Sequence, residues 1–268
     1  MAVDHAVDKR RICTAAALAI PLIAALCLQG YYLFGVILLI AAIGLWEFYS
    51  MFWGKRSRIV SRLVAIALGW GMLTFTWMQR PQDALVFLGA GFILAALNFL
   101  FRLDMQSHES FVPSCVFLAG LAYVPLLLMP ATYIGTLKIV FVLLCVFASD
   151  TAAYFTGTRF GQHKLCPKVS PNKSIEGAAG SLIGCAAVSM IVGYFFGTAP
   201  LWAFALLGIL VNIFAQLGDL FESALKRAVG VKDSSNLLPG HGGILDRLDS
   251  ILFALPIFAV VDQWFVFF

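Results

Sequence analysis

The chain has 268 residues, of which 61% are apolar and only 12% charged, with a net charge of +4 and a mean hydropathy of +0.92. A soluble domain is nearer half apolar and a quarter charged, so this composition excludes a soluble globule and defines a polytopic membrane protein. Neither the small net charge nor any basic patch points to a nucleic-acid partner.

A bilayer core needs about 20 apolar residues per helix. Runs that meet this lie near 12–29, 31–52, 62–79, 83–101, 111–129, 137–156, 176–197, 200–221 and 251–268, which predicts an all-α transmembrane bundle of about nine spans. The first run follows "DKRR" and could pass for a signal peptide. A second apolar run follows at once with no convincing small-residue cleavage site, so it is read as a retained span. The six cysteines (Cys13, Cys27, Cys115, Cys145, Cys166 and Cys185) form no C-x-x-C pair, and five lie in apolar runs, as small buried hydrophobes do.

With the N-terminus in the cytoplasm and the spans alternating, all of the 18 basic residues except Arg80 and Lys138 fall on the cytoplasmic side. The positive-inside rule therefore predicts N-in, C-out and an odd number of spans. Chemistry is unevenly spread. Residues 1–136 read as an N-terminal transmembrane region of about five spans, a scaffold or a path for lipid. Residues 137–268 read as a catalytic region of about four spans with long polar cytoplasmic loops. Glu47 and Asn98 are polar exceptions in the first half, each placed near a cytoplasmic end where it reaches water.

In chain order, the first functional candidate is Asp150, in "ASDTAAYFTG", an acid in an otherwise apolar run. Next comes "SPNKSIEG". Ser174 suits an N-cap, with Glu176 in the first turn behind it. Ser170, Lys173 and Ser174 at that helix N-terminus form a candidate anion site. The small residues of "GAAGSLIG" from Gly177 read as close helix packing.

In the eighth run Asn212, Gln216, Asp219, Ser223 and Lys226 recur at steps of four and three, one helical face. Such a face cannot point at lipid. Asn212 reads as an interhelical hydrogen-bond seam, while Asp219 and Glu222 near the cytoplasmic mouth read as functional. Beyond them "PGHGGILDR" places Gly240, Gly242 and Gly243 around His241, where backbone N–H groups could cradle phosphate. His241 is open as a phosphate donor, a base or a structural hydrogen-bonder. Asp246 and Asp249, three apart, share a face if their segment is helical. Paired carboxylates beside open water suit Mg²⁺, which takes one or two carboxylates and completes its shell with water and phosphate. Carboxylates and basic residues together suggest a metal–polyphosphate complex.

The segment from Ser223 resembles the signature of the integral-membrane phosphatidate cytidylyltransferases, or CDP-diacylglycerol synthases. The matching residues are Ser223, Leu225, Lys226, Arg227, Lys232, Asp233, Ser235, Leu238, Pro239, His241, Gly242, Gly243, Asp246, Arg247 and Asp249. Asp150, "YFTG" and "SPNKSIEG" are similar to the family's second conserved region, with Ser174 and Ile175 standing where that family carries Thr and Trp. The close resemblance covers residues 140–255.

It implies that CTP and phosphatidic acid, a membrane lipid, become CDP-diacylglycerol and pyrophosphate at the cytoplasmic face of a bacterial inner membrane. Under it, Asp219, Asp246 and Asp249 hold Mg²⁺, and a second cation accompanies it in the family. Lys226, Arg227, Lys232 and Arg247 hold triphosphate and lipid phosphate. Ser170, Lys173 and Ser174 add a phosphate wall. Asp150, Glu176, Ser223, Asp233, Gly242 and Gly243 complete the substrate-binding set, His241 stands with the catalytic set, and a homodimer is expected. The competing readings are a CTP-dependent lipid kinase, which transfers the γ-phosphate, an ion-coupled transporter, and a structural scaffold.

Overall fold

The computed structural model describes residues 19–54, 57–101, 111–238 and 242–268. His241, together with Pro239 and Gly240, lies outside them. The described residues are mostly helical, as expected. α1 is the short apolar helix Ala19–Leu28. α2 (Gly30–Trp53), α3 (Ile59–Trp77), α4 (Pro81–Phe101), α5 (Phe111–Leu121), α6 (Thr136–Phe160), α7 (Ile175–Phe196), α8 (Leu201–Ala228) and α9 (Leu245–Trp264) follow. Among the described residues seven helical segments are long and apolar enough to cross a membrane, against the nine runs expected. The remaining two are the first, of which only residues 19–29 are described, and α9, whose start carries Asp246, Arg247 and Asp249.

The chain divides into two compact units. The first holds residues 1–133 and 231–246, the second 134–230 and 247–268. The segment with Lys232, Asp233 and the glycines thus belongs with the early helices.

In the first unit α3 packs on both α2 and α4. α4 is apolar all round and buries only Ala84, Gly91 and Ala95, as a helix bathed in lipid does. The run expected as one span at 111–129 is not one α-helix. It widens to a π turn at Ala122–Leu126 and tightens to a 3₁₀ turn at Met129–Thr132. Pro125 has no N–H to donate, and the π turn absorbs that loss. Arg62, one of the basic residues expected on the cytoplasmic side, is fully buried in the first turn of α3. There it donates to Ser50 Oγ at 3.0 Å and to the carbonyl of Gly54, and stacks on Trp46.

The second unit is built on α7, which packs against α6 and α8. The small-residue stripe does what its spacing suggested. A Cβ on Gly177 would stand 3.0 Å from the Ala153 carbonyl, and one on Gly184 would stand 2.6 Å from the Ala152 Cβ. Asn212 forms the expected seam, donating to Ser149 of α6 at 2.7 Å and accepting from Ser181 of α7 at 3.3 Å. Lys138 and Asp262 tie the start of α6 to the end of α9 at 2.6 Å. Between α6 and α7 the chain forms a two-stranded antiparallel hairpin, β1 (Lys164–Cys166) and β2 (Ser170–Ser174), a departure from the purely helical expectation.

Candidate active site

In the second unit a cavity of about 640 Å³ opens among α6, β2, the start of α7 and the middle of α8. That volume is ordinary for a small-molecule site. Asp150, Ser170, Lys173, Ser174 and Asp219, all expected as site residues, line it. Ser149, Thr158, Asn172, Gln216 and Ser250 line it too, and the sequence reading had not assigned them to substrate.

Each charged lining residue is placed by its element. α6 does not end at Asp150 but runs ten residues further, so the acid projects from an intact helix, exposed. Lys173 comes from β2, one residue before the cap of α7. Its Nζ lies 2.5 Å from Asp219 Oδ2, with both side chains about a quarter to a third exposed. Ser223, one turn along α8, donates to the other oxygen of Asp219 at 3.3 Å. Ser174 caps α7, accepting from Gly177 N at 3.1 Å. Glu176 turns away from this work. It accepts from the backbone of Gln162 and His163 at 3.1–3.3 Å and from His163 Nδ1 at 2.6 Å, which pins β1 to α7.

α9 approaches α8 where Gly218 has no side chain, since a Cβ there would overlap the Asp249 carbonyl. That approach puts Asp249 within electrostatic reach of Asp219, and Asp150 is within reach of both. Lys173 and Arg247 oppose the charge on Asp150, and Lys226 opposes that on Asp249. One oxygen of Asp249 accepts from Ser250 N at 2.7 Å. Lys226 also pairs with the fully buried Glu222 at 3.1 Å, so Glu222 acts inside α8 rather than in the cavity. Arg227 donates to the Val169 carbonyl at 3.4 Å, bracing the hairpin.

The donor set can be weighed against a metal. Among the described residues no three His, Cys, Asp or Glu side chains form a metal-holding cluster. Asp219 and Asp249 each have one oxygen held by a local donor, and a pair of carboxylates is a donor set that would fit Mg²⁺ only with phosphate and water completing the shell. The ammonium of Lys173 already sits on Asp219, so the position selects positive charge.

The first unit holds the remaining signature residues. Asp246 Oδ2 accepts from Ser234 N at 3.0 Å, Ser234 Oγ at 2.9 Å and Gly243 N at 2.7 Å. The Gly243 N–H is therefore used within the segment. Gly242 has φ +77°, as a turn glycine should, and its carbonyl accepts from Leu238 N at 2.8 Å. Lys232 and Asp233 are exposed and line a second cavity of about 690 Å³ with Trp46, Glu47 and Ser50 of α2. Glu47 is a correction to the sequence reading. It does not reach water but is 2% exposed. It accepts from Ser235 Oγ at 2.6 Å, Leu245 N at 2.8 Å, Ile244 N at 3.2 Å and Ser234 Oγ at 3.3 Å.

These features define a class, a polytopic helical membrane protein with a charged cavity whose paired carboxylate and ammonium suit phosphate chemistry. The comparisons narrow it. Residues 9–265 match the model of the cytidylyltransferase family, and the chain belongs to that family. It is 35% identical over 226 residues to a phosphatidate cytidylyltransferase of Brucella suis, covering 84% of this chain and 81% of that one. It is 42% identical over 176 residues to one of Staphylococcus haemolyticus (63% and 67%), and 37% identical over 232 residues to one of Staphylococcus epidermidis (83% and 86%).

Proposed function

We propose that this chain converts CTP and phosphatidic acid to CDP-diacylglycerol and pyrophosphate. Family membership supports the reaction class, and the names of the relatives support the substrates. The observation that carries the reading is the Lys173–Asp219 pair on the wall of the 640 Å³ cavity, with hydroxyl and amide groups of Ser170, Asn172 and Ser174 beside it.

In the proposed reaction an oxygen of the lipid phosphate attacks the α-phosphorus of CTP. The bond from that phosphorus to the bridging oxygen breaks, and pyrophosphate leaves with the electron pair. The attacking group is already an anion, so no strong general base is needed. The protein's task is positioning and charge neutralisation. Lys173 offers its ammonium to phosphate oxygens in competition with Asp219, and Ser170, Asn172 and Ser174 donate hydrogen bonds from the same wall. Lys226, Arg227, Lys232 and Arg247 are assigned to triphosphate and lipid phosphate from the signature.

Asp219 and Asp249 would hold Mg²⁺, and Asp246 is assigned to the metal only from the signature. The ion would withdraw charge from phosphate oxygens as a Lewis acid. A second cation, a homodimer and a cytoplasmic placement of the site in a bacterial inner membrane come from the resemblance and from the bias of the basic residues.

The test uses purified protein in detergent with phosphatidic acid, Mg²⁺ and CTP labelled separately at the α- and γ-phosphates. Entry of α-label into lipid with release of γ-label as pyrophosphate is expected, and loss of both in Asp219→Asn. Entry of γ-label into lipid would instead make the protein a lipid kinase.

A further inference from the structure

Glu47 was read from the sequence as a surface acid of a scaffold region. We infer that it is a positioning residue for the signature segment, the first-half group that fixes the order of residues 231–238 and 242–246, the last of which open α9. The inference rests on the cytidylyltransferase reading for what that order is worth.

Three neutral donors and one hydroxyl shared with Asp246 converge on one carboxylate. Oε1 takes Ser235 Oγ and Ile244 N, and Oε2 takes Ser234 Oγ and Leu245 N. An ionised carboxylate accepts only, and two oxygens have room for four donors. Ile244 N and Leu245 N belong to the opening of α9, where amide groups lack intrahelical partners and a negative charge is favoured. The carboxylate that satisfies them comes from α2, nearly two hundred residues earlier, so it is a cap supplied from another helix.

The contact continues toward a site residue. Ser234, which reaches Glu47, donates both its Oγ and its N–H to Asp246. Asp246 is further held by Gly243 N. Gly243 packs against the same carboxylate, since a Cβ on it would stand 2.5 Å from Glu47 Oε2 and would overlap Ser234 Oγ. A side chain at 243 would therefore collide with both Glu47 and Ser234. Both oxygens of Glu47 are turned to Ser234, Ser235, Ile244 and Leu245, so the carboxylate positions those groups. It sets where Ser234 stands, and Ser234 sets the direction of the Asp246 carboxylate.

The experiment compares the full-length parent, Glu47→Gln and Glu47→Asp in detergent by hydrogen exchange of peptides and by steady-state kinetics with CTP and phosphatidic acid. In Glu47→Gln one acceptor oxygen becomes a donor facing donors. Exchange should speed about tenfold or more in peptides from 231–246 and stay unchanged in α7. The kcat should fall roughly 10–100-fold, the usual cost of losing a group that orients a site residue. Glu47→Asp should recover part of both effects. A merely structural role would instead speed exchange across the protein and show no such rescue. Unchanged exchange in 231–246 overturns the inference, and so does faster exchange with kcat within twofold of the parent. If Glu47→Gln does not fold, Ser235→Ala removes one of the four donors and is read by the same two measurements, with smaller expected changes and the same overturning results. A parent without transferase activity would count against the proposed reaction, while the exchange comparison would still decide whether Glu47 orders the segment.

Discussion

Glu47 in the first unit and Asp219 in the second are both acids on membrane helices, and the structure treats them oppositely. Glu47 is 2% exposed and held by three neutral donors and a hydroxyl shared with Asp246. Asp219 is about a third exposed, faces a cavity, and is met by one weak hydroxyl and one mobile ammonium. A saturated carboxylate cannot exchange partners without orphaning buried donors, so it holds structure. A carboxylate paired with a flexible lysine beside open volume can trade that partner for a ligand. The number and kind of partners, rather than intramembrane position, separates an architectural acid from a reactive one.

The largest expected effect comes from breaking the exchangeable side. Asp219→Asn should lower kcat by on the order of 10²–10³-fold or more, the scale for losing a charge aimed at the reacting group. The thermal midpoint should move little, and a matched fall in midpoint and activity would make Asp219 architectural after all.

Lys173→Met comes next. It removes the ammonium that pairs with Asp219 and is proposed to meet the phosphates, and should reduce kcat/KM for CTP by roughly 10–100-fold. Titrating CTP against initial rate checks this, and an unaltered KM and kcat would remove Lys173 from the phosphate wall.

Asn212→Ala tests the saturated kind of contact inside the second unit. It leaves Ser149 and Ser181 without their shared partner and should cost about 0.6–1.7 kcal/mol of stability. Activity per folded molecule should persist, so thermal melts and rate assays on the same preparation should diverge. Ser174→Ala should cost a comparable amount of stability, about 0.5–2 kcal/mol and commonly near 1, from loss of the α7 cap. Any larger loss in CTP binding would separate its cavity role from its capping role.

Much of this was legible in sequence because hydropathy and the 3.6-residue period are local. The spans from α2 to α8 follow their apolar runs to within a few residues, apart from the ends at which polar residues continue the helix. α8 runs to Ala228 rather than ending near 221, because the stripe from Asn212 to Lys226 is itself a helical face. α9 starts at Leu245, six residues before the expected run, since hydropathy counts Asp246, Arg247 and Asp249 as loop although a helix start tolerates them.

The hairpin had no signal, because strands of three and five residues around Pro167 and Pro171 show no alternation. Asp219 and Lys173 were both singled out, but for separate tasks, and their 2.5 Å contact joins a helix to a strand that no periodicity links. Glu47 was misread for the same reason. One acid in an apolar run carries no mark of a partner 187 residues away.

That separation has a consequence for synthesis. At roughly 5–20 residues per second, about 10–40 seconds pass between the emergence of Glu47 and that of Ser234. Throughout that interval α2 carries an acid whose eventual partners do not exist. The nascent chain must meanwhile keep this end of α2 at the water interface or beside the insertion machinery. A ribosome that stalls before residue 234 leaves behind an intermediate with an unsatisfied acid, a natural mark for membrane quality control.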